Sequence, residues 1–192
     1  MNYCNKYHLS VVTSPTVEPI SLDDALTQCH ANQGVEDDYF YDLIKAVRED
    51  AEKYTRRAFI EQSLRVTFDG LPDFPIMIPR PPLIEVTSFS LFDVDDTETL
   101  VDLSNLLIDT YSQPGRISLS HGYSLPSITL RELNSLVIVY KAGFGSTAST
   151  VPRNAKLAMM MHLGYLNDCR SGEPESITEE YECLLNRIKI YL

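Results

Sequence analysis

The sequence predicts an α+β fold: a helical core drawn from the N- and C-terminal parts of the chain, with an antiparallel β-rich region inserted between them. Three observations carry this reading. Apolar residues recur with a period of 3.6 towards both ends of the chain. Between about residues 63 and 142 the period becomes 2, and short apolar runs alternate with turn residues. The 192 residues, 44% hydrophobic and 22% charged, are enough to bury a sizeable core.

Residues 1–18 carry Pro15 and small polar residues without periodicity, and predict a flexible arm ahead of a single domain over 19–192. A first helix is expected over about 21–32. Ser21 caps it, Asp24 answers three residues later, Asp23 suits the positive helix end, and Gln33-Gly34 stops it. A second helix, over about 38–59, aligns Phe40, Leu43, Ile44, Val47, Ala51, Tyr54 and Ala58 in one stripe. Its other face, with Lys45, Arg48, Glu49, Glu52, Lys53, Arg56 and Arg57, reads as solvated or as a subunit contact using alternating charge.

From Ser63, Leu64, Val66 and Phe68 alternate with polar residues until Gly70. A short strand over 74–78 is closed by Pro79-Arg80-Pro81-Pro82, where prolines remove ladder donors. The strand from Leu83 shifts phase from Ile84 and Val86 to Phe89 and Leu91, which predicts a bulge at Thr87-Ser88. Further strands are expected over 106–110, 116–120 and 135–142. A third helix, over about 152–170, starts near Pro152 and is apolar on two sides. Ala155, Ala158, Met159, His162, Leu166 and Cys169 share one face; Leu157, Met160, Met161 and Leu163 make the other. A break at Ser171-Gly172-Glu173-Pro174 precedes a last helix over 177–190, with Ser176 and Glu179 as a capping box.

The charge and the motifs remove several function classes. Sixteen basic against 27 acidic residues give a net charge of −11, which disfavours tight binding to nucleic acid or anionic lipid. The longest apolar stretch, Leu157 to Leu166, is about half the roughly 20 residues that span a bilayer. The N-terminus has neither the basic start nor the apolar run of a signal peptide, which predicts a cytoplasmic product. Cys4, Cys29, Cys169 and Cys183 have no C-x-x-C spacing and are expected as free thiols.

Gly143-Phe144-Gly145-Ser146-Thr147-Ala148 matches G-x-G-x-x-A, but no second parallel strand is expected after it; it reads as a strand-to-helix connection. Asp93, Asp95, Asp96 and Glu98 lack the glycine and the closing Glu of a cation loop, Ser104 standing in the twelfth place. An exposed acidic turn between two strands is expected. His8, His30, His121 and His162 are scattered, no G-x-S-x-G occurs, and His162 reads as a hydrogen-bonded core residue. No catalytic, cofactor or metal site is expected. Multiply apolar helices without a catalytic constellation favour assembly over chemistry, the alternative being a cytosolic enzyme with a site built from distant residues.

Taken in order, several segments over about 17–192 resemble the head-tail connector (adaptor) proteins of long-tailed bacteriophages. These are VEPISLDDA; DDYFYDLIKAVREDAEKYTRRAFIEQSLRVTFDGLP; IPRPPLIEVTSFSLFDVDD; VIVYKAGFG; VPRNAKLAMMMHLGYLNDCR; and LLNRIKIYL. Two departures stand out: Gln28-Cys29-His30 replaces the usual arginine of the first helix, and the hairpin turn Asp-Val-Asp-Asp has no glycine. The resemblance implies a structural virion protein, without enzymatic activity or cofactor. It implies a homo-oligomeric ring of about twelve copies docked on the portal, offering the tail an attachment surface and leaving an axial channel for DNA. The implied partners are further copies, portal protein, a tail-side or stopper protein, and DNA that passes without specific binding, with no membrane. Its place would be the head-tail interface of the virion, and the host cytoplasm during assembly. A tail-completion or stopper-type protein is the nearest alternative.

The last helix ends in apolar residues at the chain terminus, where such residues fray into water unless covered. Tyr181, Leu184, Leu185, Ile188, Ile190, Tyr191 and Leu192 are therefore expected to dock on portal or a neighbouring subunit. The competing reading packs the stripe on its own subunit.

Overall fold

The computed structural model describes residues 7–170 and 179–191. Cys4, the break at Ser171 to Pro174, the capping Ser176 and Leu192 lie outside the described residues. In place of the single domain expected over 19–192, the chain forms two compact units, each built from separated stretches. The first joins Met1–Ser14 to Glu61–Gly143, the second Pro15–Ile60 to Phe144–Leu192. The division follows secondary structure, since buried helical side chains gather in one cluster while the strands bury their own apolar faces.

Among the described residues the first unit holds eight strands: β1 (Tyr7–Thr13), β2 (Gln62–Phe68), β3 (Ile76–Ile78), β4 (Leu83–Phe92), β5 (Glu98–Leu100), β6 (Leu106–Asp109), β7 (Gly115–Leu119) and β8 (Leu136–Ala142). They form a five-stranded sheet in the order β1-β2-β8-β4-β5 and a three-stranded sheet in the order β3-β7-β6. Every pairing is antiparallel. Central β8 shows the alternation that a half-buried strand requires, with Leu136, Ile138, Tyr140 and Ala142 buried. The phase shift in β4 is a register irregularity opposite β8 between Val86 and Ser88. Gly115 has no room for a side chain, because a Cβ there would come within 2.6 Å of the Leu83 Cβ.

The arm expected over 1–18 is, from Tyr7 onward, the edge strand β1, which pairs with β2 from Tyr7↔Phe68 to Thr13↔Ser63. Its order comes from main-chain hydrogen bonds. Most of its side chains are exposed on both faces, so no alternation marks it in the sequence.

The second unit holds α1 (Leu22–Gln28), α2 (Asp37–Thr55), α3 (Arg153–Asp168) and α4 (Glu179–Asn186). Ser21 Oγ accepts from the Asp24 amide at 3.1 Å and donates to Asp24 Oδ2 at 2.7 Å. α2 stops at Thr55, short of the expected 59, because Arg56 turns left-handed (φ 57°) and the Phe59 amide donates to Glu52 Oε1 at 2.7 Å. The chain enters α3 through Gly143 and Gly145, both at positive φ, and a Cβ on Gly145 would meet Thr150 Cγ2 at 2.8 Å. With antiparallel strands and a helix that begins only at Arg153, this stretch is a connection. Phe40, Ile44, Val47 and Ala51 of α2 share a core with Ala155, Ala158 and Met159 of α3.

Candidate functional site

The C-terminal segment is part of its own core. Tyr181 (1% exposed) and Leu185 (0%) belong to the buried cluster of the helical unit, while Leu184 and Ile188 pack partly against it. Beyond α4 the chain is held to the end of α2 and the residues just after it: the Ile190 amide donates to Thr55 O at 3.0 Å, Arg57 Nε donates to Ile188 O, and Lys189 Nζ lies 3.9 Å from the Tyr54 ring centre. Docking through Tyr181 and Leu185 is thereby corrected, since a side chain spent inside its subunit presents no surface. Tyr191, 74% exposed, is free to meet a partner. An amphipathic pattern announces a buried face without naming what buries it.

The polar side of α2 is not uniformly solvated either. Arg48, Glu52 and Arg57 are buried. Arg48 Nε donates to Glu18 Oε2 at 2.7 Å and Nη1 to Glu52 Oε2 at 3.1 Å, and Nη2 lies 3.4 Å from Glu49 Oε1. Burial opposes the charge on Arg48, and the Glu52 and Glu18 carboxylates more than offset it, raising the guanidinium above its ordinary range. The network ties the segment before α1 to α2 and, through Glu52, to the Phe59 amide. Arg48 and Glu52 follow Ile44, Val47 and Ala51 closely enough to sit at the margin of the apolar stripe, the one sequence signal that could have found them.

His162 is buried against Tyr181, ring centres 4.9 Å apart, and its Nδ1 has no hydrogen-bond partner among the described residues. It is a core residue, as the apolar helix predicts, but without the expected bond at that nitrogen. Burial lowers its pKa against the raising influence of Asp50. A folded-state pKa below the unfolded one supplies stability that is complete above the unfolded value and lost as pH falls towards the folded one. Wild-type unfolding free energy should therefore drop between pH 7 and 5, by at most about 1.4 kcal/mol per pH unit from this group. Urea titrations of His162→Gln should show a shallower acid limb; parallel profiles for the two chains would exclude the assignment.

The acidic turn joins β4 to β5. Asp93 Oδ1 accepts from the Asp95 and Thr97 amides at 2.9 Å, and Asp96 pairs with Arg131 at 2.7 Å. Asp95, Asp96 and Glu98 are exposed, and Asp93 is half-buried. Among the described residues no three His, Cys, Asp or Glu side chains gather as metal ligands, and no helix is long and apolar enough to cross a membrane.

Two surfaces escaped the sequence reading, both on the three-stranded sheet, and the second apolar side of α3, which the sequence does announce, is covered only in part. Of that second side, Leu163 is buried and Met160 packs partly against the core, whereas Leu157 is 53% exposed and Met161 half-buried. On the three-stranded sheet, a cavity of about 350 Å³ is lined by Pro75, Leu107, Ile108, Asp109, Arg116 and Ser118. Next to it Asp109 accepts from the Tyr111 and Ser112 amides, Ser112 Oγ and Arg116, a braced turn that presents Tyr111 at 96% exposure. These hydrogen bonds hold the Asp109 carboxyl well below the usual carboxylate range, Ser112 first and Arg116 next. Nothing in the residue types alone distinguishes such a turn from an ordinary loop.

No protein family and no curated protein matches the sequence. Solved structures do match in fold over nearly the full length. A chain of the virion of a native gene transfer agent (GTA) particle aligns with a TM-score of 0.78 at 18% identity, covering 96% of both chains. A chain from the neck of an empty GTA particle computed with C6 symmetry aligns at 0.78 and 21%, again over 96% of both. The fold is one found in GTA necks. A third GTA chain, from the neck of a native particle computed with C12 symmetry, aligns at 0.73 and 21% over 96% of both. The GTA-neck fold thus extends across both units of this chain, β-rich and helical alike.

Proposed function

We propose that this chain is a structural neck protein, a head-tail connector (adaptor) that forms a closed ring on the portal vertex, offers the tail its attachment surface and leaves an axial passage for DNA. One observation carries the reading: both units, over 96% of the chain, share the fold of chains from GTA necks computed with C6 and C12 symmetry. The ordered segments that resemble the connector family support it independently. In this role the protein is not an enzyme and uses no cofactor; its partners are further copies, portal protein and a tail-side protein.

The acidic surface suits the passage. A net charge of −11 on each copy, with Asp95, Asp96 and Glu98 at an exposed turn, repels phosphate and lets DNA slide without adhering. Tyr191, with Leu184 and Ile188 at the margin of the core, is the part of the C-terminal segment left to meet portal or a neighbour. Deleting the gene from a phage that carries it should give DNA-filled heads and free tails that join when purified protein is added. Tailed particles formed in its absence would contradict the reading. Complete tails that fail only at their head-proximal end would move the protein to tail completion.

A further inference from the structure

Two segments of the helical unit end at one place and bring cations together there. Arg56 ends α2 in a left-handed turn, and the residues after α4 lie against that end: the Ile190 amide donates to Thr55 O and Tyr54 Oη donates to Asn186 Oδ1, both at 3.0 Å. Lys53, Arg56, Arg187 and Lys189 are thereby neighbours. The first three are exposed, and Lys189 Nζ lies 3.9 and 5.8 Å from the ring centres of Tyr54 and Tyr191.

None of the four forms an ion pair among the described residues, whereas Arg48, Arg116, Arg131, Lys141 and Arg170 are each paired. No Asp or Glu occurs over 53–60 or 184–192. The exposed carboxylates Glu49, Asp50 and Glu182 stand about one turn back along α2 and α4, without an ion pair to these cations. The carbonyl ends of the two helices offset part of the charge. What remains is a positive patch on a chain of net charge −11, beside Tyr191 at 74% exposure and half-buried Ile188 and Ile190.

Charge complementarity calls for carboxylates, and the size of the patch says in what form. A stable contact between two copies takes about 800 Å² and roughly 20–30 residues a side, far more than this patch offers. A short extended segment needs no more: clustered Arg and Lys take up acidic motifs, and a fixed aromatic beside them anchors one apolar side chain. The hydrogen bonds to α2 hold the patch in one shape, so little order is lost on binding. Duplex DNA fits less well. Its phosphates run on past the patch to the rest of an acidic chain, whereas a short segment stays within the roughly 8 Å over which charge is felt at physiological salt.

We infer that the end of α2 and the residues after α4 form a docking site for an acidic segment of another protein, one with a few clustered carboxylates beside an aromatic or aliphatic residue. This inference rests on the chain's own surface and not on the ring reading.

Fluorescence anisotropy with the full chain tests it. The probe is a short labelled peptide of clustered glutamates around one phenylalanine, set against the same peptide with glutamine at each glutamate. The acidic peptide should bind at least about tenfold tighter than the neutral one, and added salt should weaken it. Arg56→Glu with Arg187→Glu should cost about tenfold or more, and Tyr191→Ala alone several-fold. All three positions are exposed, so thermal melts should match wild type. Lys45→Glu with Arg65→Glu changes the net charge equally at exposed sites outside the patch, and should leave affinity within about twofold. Equal binding of the acidic and neutral peptides, or equal losses in the two double variants, would overturn the site. A short labelled DNA duplex should bind more weakly than the acidic peptide; tighter duplex binding that Arg56→Glu with Arg187→Glu abolishes would overturn the inference and assign the patch to nucleic acid. Loss of self-association by that variant in sedimentation velocity would likewise overturn it and assign the patch to a second copy.

Discussion

Replacing Arg48 by Met should destabilise the helical unit by about 3–5 kcal/mol, the usual penalty for removing one partner of a buried ion network. The Arg48 side chain is 6% exposed and that of Glu52 7%, so water cannot take over the guanidinium's role towards Glu52. Glu18 would lose its 2.7 Å partner, and with it the fastening of the segment before α1. Combining Arg48→Met with Glu52→Gln should recover part of the loss, since the buried Glu52 charge is then gone and only the half-buried Glu18 carboxylate is left without its partner. Urea unfolding of the single and double variants measures both effects. A loss below about 1 kcal/mol for Arg48→Met would mean that the network behaves like a surface pair.

The second large effect concerns α4. Leu185→Ala should lower stability by about 2–5 kcal/mol and Tyr181→Ala by about 3–5 kcal/mol, as large-to-small changes at fully buried positions do. A chain ending at Asn186 should also unfold at lower urea, because it loses the bonds from Ile190 to Thr55 and from Arg57 to Ile188. A pure docking segment would behave differently. If truncation and both substitutions left monomer stability unchanged and removed only portal binding, the helix would belong to an interface after all.

The legible parts of the fold are those whose burial follows a single period. The α2 stripe from Phe40 to Ala51 and the alternation of Leu136, Ile138, Tyr140 and Ala142 in β8 locate their elements directly, because one face is dry and the other wet. Strand β1 is illegible for the opposite reason: both of its faces meet water, and only its pairing with β2 orders it. β5 has three residues, Glu98 to Leu100, too few for any period to show. The division into two units is hidden as well, since composition does not say that Ser14 and Glu61 adjoin in one body while Ile60 and Phe144 adjoin in another.

At the candidate surfaces the same limit applies to partners. The apolar stripes of α3 and α4 are both visible in sequence, but Leu157 on the extra side of α3 stays exposed, while Tyr181 and Leu185 of the α4 stripe are spent internally. Periodicity counts apolar faces; tertiary packing decides which of them remain available. Arg48 and Glu52 show the converse, since charged residues at the edge of a stripe are taken for solvated ones until the segment that covers them, here Glu18, is in place.

The central claim is that this chain closes into a ring by a head-to-tail contact. Native mass spectrometry of the full-length protein over a wide concentration range, alone and with portal, tests it most directly. Monomer when dilute, passing at high concentration or on portal to a single closed ring, is the predicted result. A two-fold dimer that persists at every concentration and never gives way to a ring on portal would contradict it.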